Sequence, residues 1–140
     1  TKLIIIGTGE EHKKLQSLIA VNNMEHHIDM VGYKDNTHDY FYYAHRVILS
    51  SLYEGLPTVL IEALAMGTPL ISVDCPAGSR EIIEDDQCGI LVEDTSTSGL
   101  ARAISASVNT SSPPKDIIRE YAKKYDLDRQ AEQYLLYLSE

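Results

Sequence analysis

Positive charge is in short supply in this sequence. Twelve Lys and Arg residues face twenty-one Asp and Glu residues, giving a formal net charge of −9 at pH 7. A surface of that sign repels phosphate backbones and anionic bilayers, so neither nucleic acid nor a membrane surface is expected as a partner. Cysteine is scarce too: Cys75 and Cys88 are isolated and lack metal-ligand spacing. They read as reduced core thiols, with a disulfide as the minority alternative. His26-His27 is the one adjacent pair among five His residues, and adjacent residues rarely ligate one metal, so no metal site is expected. No apolar run approaches the roughly eighteen residues that a membrane span needs. The opening residues lack the charged region, apolar stretch and small-residue cleavage site of a signal peptide, which makes the cytoplasm the expected compartment. Gly-x-Ser-x-Gly, Walker A and His-Glu-x-x-His motifs are absent, which removes the hydrolase, P-loop and zinc-protease readings. The aromatic residues are too scattered to form a stacking platform for single strands.

What is present is an alternation of strand and helix patterns. With 140 residues and a hydrophobic fraction of 44%, the chain fits one domain, residues 1–140, able to bury a core. Lys2–Ile6 is a short apolar run closed by Gly7-Thr-Gly9, the pattern of a buried parallel strand. Glu10–Ala20 carries Leu15, Leu18 and Ile19 on one stripe and predicts an amphipathic helix. Strands follow at Ile28–Gly32, Arg46–Ser51, Pro69–Asp74 and Gly89–Val92. Helices are expected at Asn36–Ala44, Pro57–Met66, Gly78–Glu84 and Thr97–Val108, the last with Leu100, Ala103 and Ile104 inward. Residues 109–114 form a polar break, and two helices within 115–139 close the chain. Strands alternating with helices predict an α/β fold: a doubly wound, Rossmann-like parallel sheet with helices on both faces. Ligands of such sheets sit beyond the carboxyl ends of the strands.

One of those strand ends holds the most informative stretch, Glu54-Gly-Leu-Pro-Thr-Val-Leu-Ile-Glu62. Gly55 and Pro57 break the strand. Pro57 suits a first helical position, Gly67 a left-handed residue just past the helix end, and Pro69 blocks continuation. One carboxylate therefore sits in the turn and the other inside the helix. Helical side chains lean toward the N-terminus, so Glu62 is expected to point back at the turn that holds Glu54. Between them lie unpaired N–H groups carrying roughly +0.5 of an elementary charge. Two acceptors flanking an anion-binding helix end suit a ligand with hydroxyls and phosphates, and a nucleotide sugar is one. Spacing alone fits equally a capping pair or two solvated carboxylates. The apolar neighbours Val59-Leu60-Ile61 and Ala63-Leu64-Ala65 predict instead that Glu62 is half-buried and partnered. Gly55 allows close backbone approach.

Other features are less specific. Gly7-Thr-Gly9 resembles the start of a dinucleotide fingerprint, but His12 stands at the third position and Asp29 lies inside a strand. A tight turn explains both glycines. Gly32-Tyr33-Lys34 follows a strand at the same edge, where Tyr33 could stack on a base, or form an ordinary exposed turn. Tyr40-Phe41-Tyr42-Tyr43 reads as core and interface packing. In Pro76-Ala-Gly78-Ser79-Arg80-Glu81, Ser79 could cap a short helix and Arg80 could reach a phosphate. Lys34, Arg46 and Arg80 are the only cations expected near the site.

Ser51-Leu-Tyr-Glu54-Gly-Leu-Pro-Thr-Val-Leu-Ile-Glu62-Ala-Leu-Ala-Met-Gly67-Thr-Pro69-Leu-Ile resembles the signature of retaining glycosyltransferases of the GT-B fold, family four. The resemblance continues through Asp74–Ile83 and Gly89–Val92 and back to Leu3–Gly9. It implies the C-terminal, donor-binding half of such an enzyme, moving a hexosyl group from a nucleotide diphosphate sugar, such as a UDP-sugar, to an acceptor hydroxyl with retention. By resemblance, Glu54 would contact the donor sugar at the catalytic position and Glu62 the ribose. Backbone around Gly55, Leu56 and Pro57 and the N–H groups of Thr58, Val59 and Leu60 would approach sugar and diphosphate, and Gly32, Tyr33 and Lys34 would border the base. No cofactor and no metal are implied, since positive side chains and a helix end serve the diphosphate. The implied role is polysaccharide, lipopolysaccharide or glycolipid biosynthesis.

Members of that family precede the Lys2–Ile6 strand with another strand, a Gly-Arg turn and a Lys, and carry a separate acceptor domain. The resemblance therefore implies a piece of a larger enzyme, inactive and weak in donor affinity alone. Its partners would be the N-terminal acceptor domain and the donor. Any peripheral contact with the inner membrane face would be made through those other parts. The Lys2–Ile6 and Arg46–Ser51 strands would either pair directly or leave apolar edges open to self-association. Alternatives are a non-catalytic Rossmann-like nucleotide-binding or interaction module and a dehydrogenase-type domain.

Overall fold

The computed structural model describes residues 1–76 and 78–139, and it divides into two compact units, Thr1–Thr37 and His38–Glu140. The first unit is a βαβ element: β1 (Leu3–Ile6), α1 (His12–Val21) and β2 (Ile28–Gly32), the two strands parallel. The register runs from Leu3 opposite Ile28 and shifts at the end, where Ile6 faces Gly32. Gly7 and Gly32 both adopt positive φ, and the Gly7 N–H donates to the Gly32 carbonyl at 2.8 Å. No described residue of this unit is buried. The buried strand expected at Lys2–Ile6 is therefore corrected: Leu3 and Ile4 are 40% and 44% exposed. Leu15 and Leu18, expected on an inward stripe, are exposed as well. Apolar runs mark a parallel strand only when helices cover both faces, and a unit this small lacks the material for that.

The second unit holds the core. It begins within α2 (Thr37–Tyr43) and continues through β3 (Val47–Leu49), α3 (Thr58–Ala65), β4 (Leu70–Val73), α4 (Ser79–Ile82), β5 (Gly89–Val92), α5 (Thr97–Ser107), α6 (Lys115–Ala122) and α7 (Leu127–Leu138). Strands β3, β4 and β5 form a parallel sheet in that order, with Val47 opposite Leu70 and Leu70 opposite Gly89. The expected α/β class with parallel strands is what the chain adopts. The ladder falls into two sheets, however, and among the described residues β1 bonds only to β2 and β3 only to β4. Periodicity identifies which residues are strands, but it carries no information on which strands are neighbours.

Leu60, Ala63 and Leu64 of α3, Leu70 of β4, Ile82 of α4, Cys88 and Ile118 of α6 are fully buried and form one cluster with Phe41 and Val47. Both thiols are buried and unbonded to each other, as expected for core cysteines. Burial is the main cause raising the Cys88 pKa above its ordinary value. Gly67 ends α3 with φ +78°, as expected, and a Cβ there would lie 2.7 Å from the Lys115 Cβ. Thr68 donates from Oγ1 to the Phe41 carbonyl at 2.5 Å, tying the end of α2 to the strand entry. Of the four consecutive aromatic residues only Phe41 is in the core, and Tyr43 is 83% exposed. In α5, Leu100, Ala103 and Ile104 are half-buried, and Ser96 caps the helix by accepting from the Gly99 N–H at 3.1 Å.

The C-terminal helices begin where expected. Ile118 anchors α6 in the core, and polar contacts clasp its end. The Tyr121 hydroxyl donates to Asp85 Oδ2 at 2.6 Å, Lys124 donates to the Glu81 carbonyl at 2.6 Å and pairs with Glu84, and Tyr125 donates to the Glu81 carbonyl at 3.1 Å. Asp126 caps α7 through the N–H groups of Asp128 and Arg129, at 3.1 and 3.3 Å. No described helix is long and apolar enough to cross a membrane.

Two consequences are measurable by urea unfolding. Ile118→Ala removes a side chain with no exposed surface and is expected to cost about 2–5 kcal/mol; a loss within error would show that α6 is not part of the core. The hydrogen bond from Tyr121 is the first cause holding the Asp85 carboxyl below the usual carboxylate range, and Tyr121 is itself pushed up to about 12. A depressed carboxylate stabilises the fold above its unfolded pKa, and that contribution is lost as pH falls through the folded value. Tyr121→Phe is therefore expected to flatten the acid-side fall in stability below about pH 4; an unchanged acid slope would rule this out.

Candidate functional site

The candidate site is assembled in the second unit where β3 runs into α3. After Leu49 the chain leaves the ladder, and Pro57 stands at the N-cap with φ −74° and ψ 83°. It was expected one position later, as the first helical residue. Its ψ is not helical, so Thr58 opens the helix instead. Proline has no polar side-chain atom, and no side chain caps this end. The Leu60 N–H donates to the Pro57 carbonyl at 3.0 Å. The N–H groups of Thr58 and Val59 precede the first intrahelical donor and, among the described residues, meet no acceptor, so they stay available to a ligand. Of the three residues, Thr58 is exposed, Val59 half-buried and Leu60 in the core.

Glu54 is half-buried, and among the described residues its carboxylate has no hydrogen-bond or ion-pair partner. Gly55 and Leu56 are exposed, Leu56 at 53%, while Pro57 is buried. Glu62 is half-buried, as its apolar flanks predict, and its Oε2 lies 3.5 Å from His38 Nε2 at the start of α2. The sequence did not single out His38. Nothing in its spacing announced a carboxylate partner twenty-four positions away, because the contact depends on how α2 packs beside α3.

Gly32, Tyr33 and Lys34 belong to the first unit. Gly32 closes β2 with φ +70°, Tyr33 is 76% exposed and Lys34 is half-buried. Tyr33 thus has a free ring face.

Two of the cations expected near the site are committed elsewhere. Arg46 precedes β3, at the amino end of the strand, where it hydrogen-bonds Ser112 Oγ and, at 3.2 Å, Thr110 Oγ1. Arg80 pairs with Asp74 and, at 3.5 Å, with Glu93. The bond to Asp74 is the first cause raising the Arg80 pKa. Carboxylates within reach of a guanidinium compete with any phosphate for it.

Ser79 does not cap α4 as expected. Gly78 holds the N-cap with φ +112°, and Ser79 is fully buried, its Oγ 2.9 Å from Ser72 Oγ. Ala77, within the same motif, lies outside the described residues. Gly78 is packed against the site turn: a Cβ on it would lie 2.4 Å from Pro57 Cδ and 2.8 Å from the Gly55 carbonyl oxygen. The sequence showed a glycine in a loop but not the turn it would meet. Among the described residues no group of three or more His, Cys, Asp or Glu could hold a metal ion.

Residues 1–125 match the family described as glycosyl transferases group 1. An uncharacterized glycosyltransferase of Methanocaldococcus jannaschii is 43% identical over 82 residues, covering 59% of this chain and 20% of the relative. The N-acetylgalactosamine-N,N'-diacetylbacillosaminyl-diphospho-undecaprenol 4-alpha-N-acetylgalactosaminyltransferase of Campylobacter jejuni is 35% identical over 92 residues, covering 66% of this chain and 25% of the relative. Among solved structures, the apo form of the lipopolysaccharide outer core galactosyltransferase WaaB superposes with a TM-score of 0.78 at 26% identity, covering 95% of this chain and 39% of that one. The chain thus spans between a fifth and two-fifths of these three proteins. With an uncapped helix start between two half-buried carboxylates and a family match over 125 of its 140 residues, this chain belongs to the glycosyl transferases group 1 family, whose solved neighbours have the GT-B fold.

Proposed function

We propose that this chain binds the nucleotide diphosphate sugar donor of a retaining hexosyltransferase acting in polysaccharide or glycolipid biosynthesis. The observation that carries the proposal is the start of α3. Among the described residues, two amide donors without a protein partner lie in a helix end that favours negative charge, and a half-buried carboxylate without a partner stands just before it. Each group has work suited to its chemistry. Glu54, an acceptor only, takes hydrogen bonds from hydroxyls of the donor sugar. Glu62 takes those of the ribose, with His38 holding one of its oxygens. The Thr58 and Val59 amides meet the diphosphate, and Gly55 leaves room for the sugar to approach the backbone. Gly32, Tyr33 and Lys34 border the base.

The developing charge on the departing diphosphate falls at the helix end, where fixed N–H dipoles stabilise it without a metal. The acceptor would be supplied by a separate domain of the same protein, working at the cytoplasmic side, where activated nucleotide donors are made. The rival reading, a non-catalytic nucleotide-binding module, shares the fold but is not favoured by a family of transferases. The open edges of β1 and β3 also make self-association an expected property.

Isothermal titration with UDP tests the donor site. The wild-type chain is expected to bind, and Glu62→Ala to weaken binding by about 10- to 100-fold, the loss of one or two hydrogen bonds to a charged group. Binding that ignores the substitution removes Glu62 from the site, and silence at millimolar UDP, GDP and ADP leaves only a scaffold. Sedimentation velocity tests the edges: a species that grows with concentration is expected, and a monomer at every concentration rejects self-association.

A further inference from the structure

We propose that Gly78, held by the buried Ser72–Ser79–Cys75 cluster, positions the Glu54–Pro57 turn, so that residues outside the donor-contacting set fix the geometry of the site. The inference rests on the donor reading above for its functional meaning, though not for its structural content.

Residues 50–57 lie outside any strand or helix, and Gly55 and Leu56 are exposed. Neither the β3 ladder nor the hydrogen bonds of α3 reach Glu54. Yet Pro57 is buried, and what meets it is the backbone of Gly78. The spaces where a Cβ would stand, 2.4 Å from Pro57 Cδ and 2.8 Å from the Gly55 carbonyl oxygen, are shorter than any real contact. The turn and Gly78 are therefore in van der Waals contact with no room for a methyl group. The φ of +112° excludes other residues independently.

Gly78 is itself immobilised. Its carbonyl accepts from the Glu81 and Ile82 N–H groups, both at 3.2 Å, and Ile82 is wholly buried. The next residue, Ser79, has no exposed surface and places its Oγ 2.9 Å from Ser72 Oγ and 3.2 Å from Cys75 Sγ. Ser72 sits in the middle of β4, the central strand, and its Oγ is also 3.1 Å from the Val73 carbonyl. Three groups with one proton each thus share a closed set of partners, and among the described residues no buried polar side-chain atom is left without one. Removing a member leaves the others unsatisfied, which is costly in a dry interior. The post under the turn is anchored in the sheet, and the turn rests on it.

Gly78→Ala, Ser79→Ala and, as a control, Ile104→Val in α5, outside the cluster that packs on α3, are compared as nitrogen-15-labelled chains by amide NMR and UDP titration. The backbone amides of Glu54, Gly55 and Leu56 are expected to shift in both site variants without ligand, and UDP affinity to fall about tenfold, as for other displaced binding groups. Ile104→Val, which shortens a half-buried side chain elsewhere in the unit, is expected to leave both readouts near wild type. If Gly78→Ala does not fold, Ser79→Ala decides. Unmoved turn amides in a folded Ser79→Ala overturn the proposal, as does an Ile104→Val variant that moves them equally. Should the wild type bind no UDP, the donor reading fails, and the turn amides alone still accept or reject the positioning role.

Discussion

Leu60, Ala63 and Leu64 have no exposed surface, and the helix that carries them opens with the amides that face the candidate site. One eight-residue helix thus serves as the centre of the core and as the site's anion-facing end. The two roles are separable because they use different parts of it. The core takes the side chains of one face, Leu60, Ala63 and Leu64, whereas the site takes the backbone N–H groups of Thr58 and Val59, which have no intrahelical bonds to lose. Ile118 of α6 and Leu70 of β4 close on that face, so the direction of the helix axis is set by packing. The direction in which its first N–H groups point follows from that axis. Precision at the site is inherited from the core, and a substitution that tilts α3 would reach the site without touching it.

Electrostatics follow from the same arrangement. An acidic chain that is to hold a diphosphate has to keep its own carboxylates from crowding the anion. Arg80 is shared between Asp74 and Glu93, offsetting one of their two charges, and Arg102 offsets Asp94. These pairs are exposed and add little stability, but they remove negative charge from the carboxyl ends of β4 and β5. Arg80 is then spent on this local balance. The helix end and any cation outside the second unit have to meet the ligand.

The parallel α/β class and the strand–turn–helix around Glu54 were legible in the residues because local rules decide them. Pro57 and Gly67 bound α3 within one position, and alternating apolar runs marked all five strands. The half-burial of Glu62 was legible too, since its neighbours on both sides are apolar. Three things were not. The exposure of Leu3 and Ile4 depends on cover that periodicity does not describe. Arg46 and Arg80 looked available because sequence shows a charge and not its partner. His38 beside Glu62, and Gly78 beneath Pro57, are contacts across elements, and local patterns contain no trace of them. Ser79 was misjudged for the same reason: a serine near a helix start suggests a cap, and only the packing reveals it as a buried link to β4.

The way the turn is held follows from what its amides are for. A loop is usually fixed by hydrogen bonds from its own N–H groups, but an N–H already bonded within the protein cannot receive a ligand. If Thr58 and Val59 are to keep their donors free and Glu54 its acceptors, the restraint has to come from contacts that consume neither. Steric contact between two backbones does this, since van der Waals packing is strong in sum and uses no donor or acceptor. It requires a residue without a side chain on one partner and a rigid ring on the other, which is the pairing of Gly78 with Pro57. It also requires that the supporting residue be tied down by a separate hydrogen-bond network, one that never meets the ligand. Ser72, Ser79 and Cys75 form such a network in the interior. The site is left chemically open because its support is mechanical.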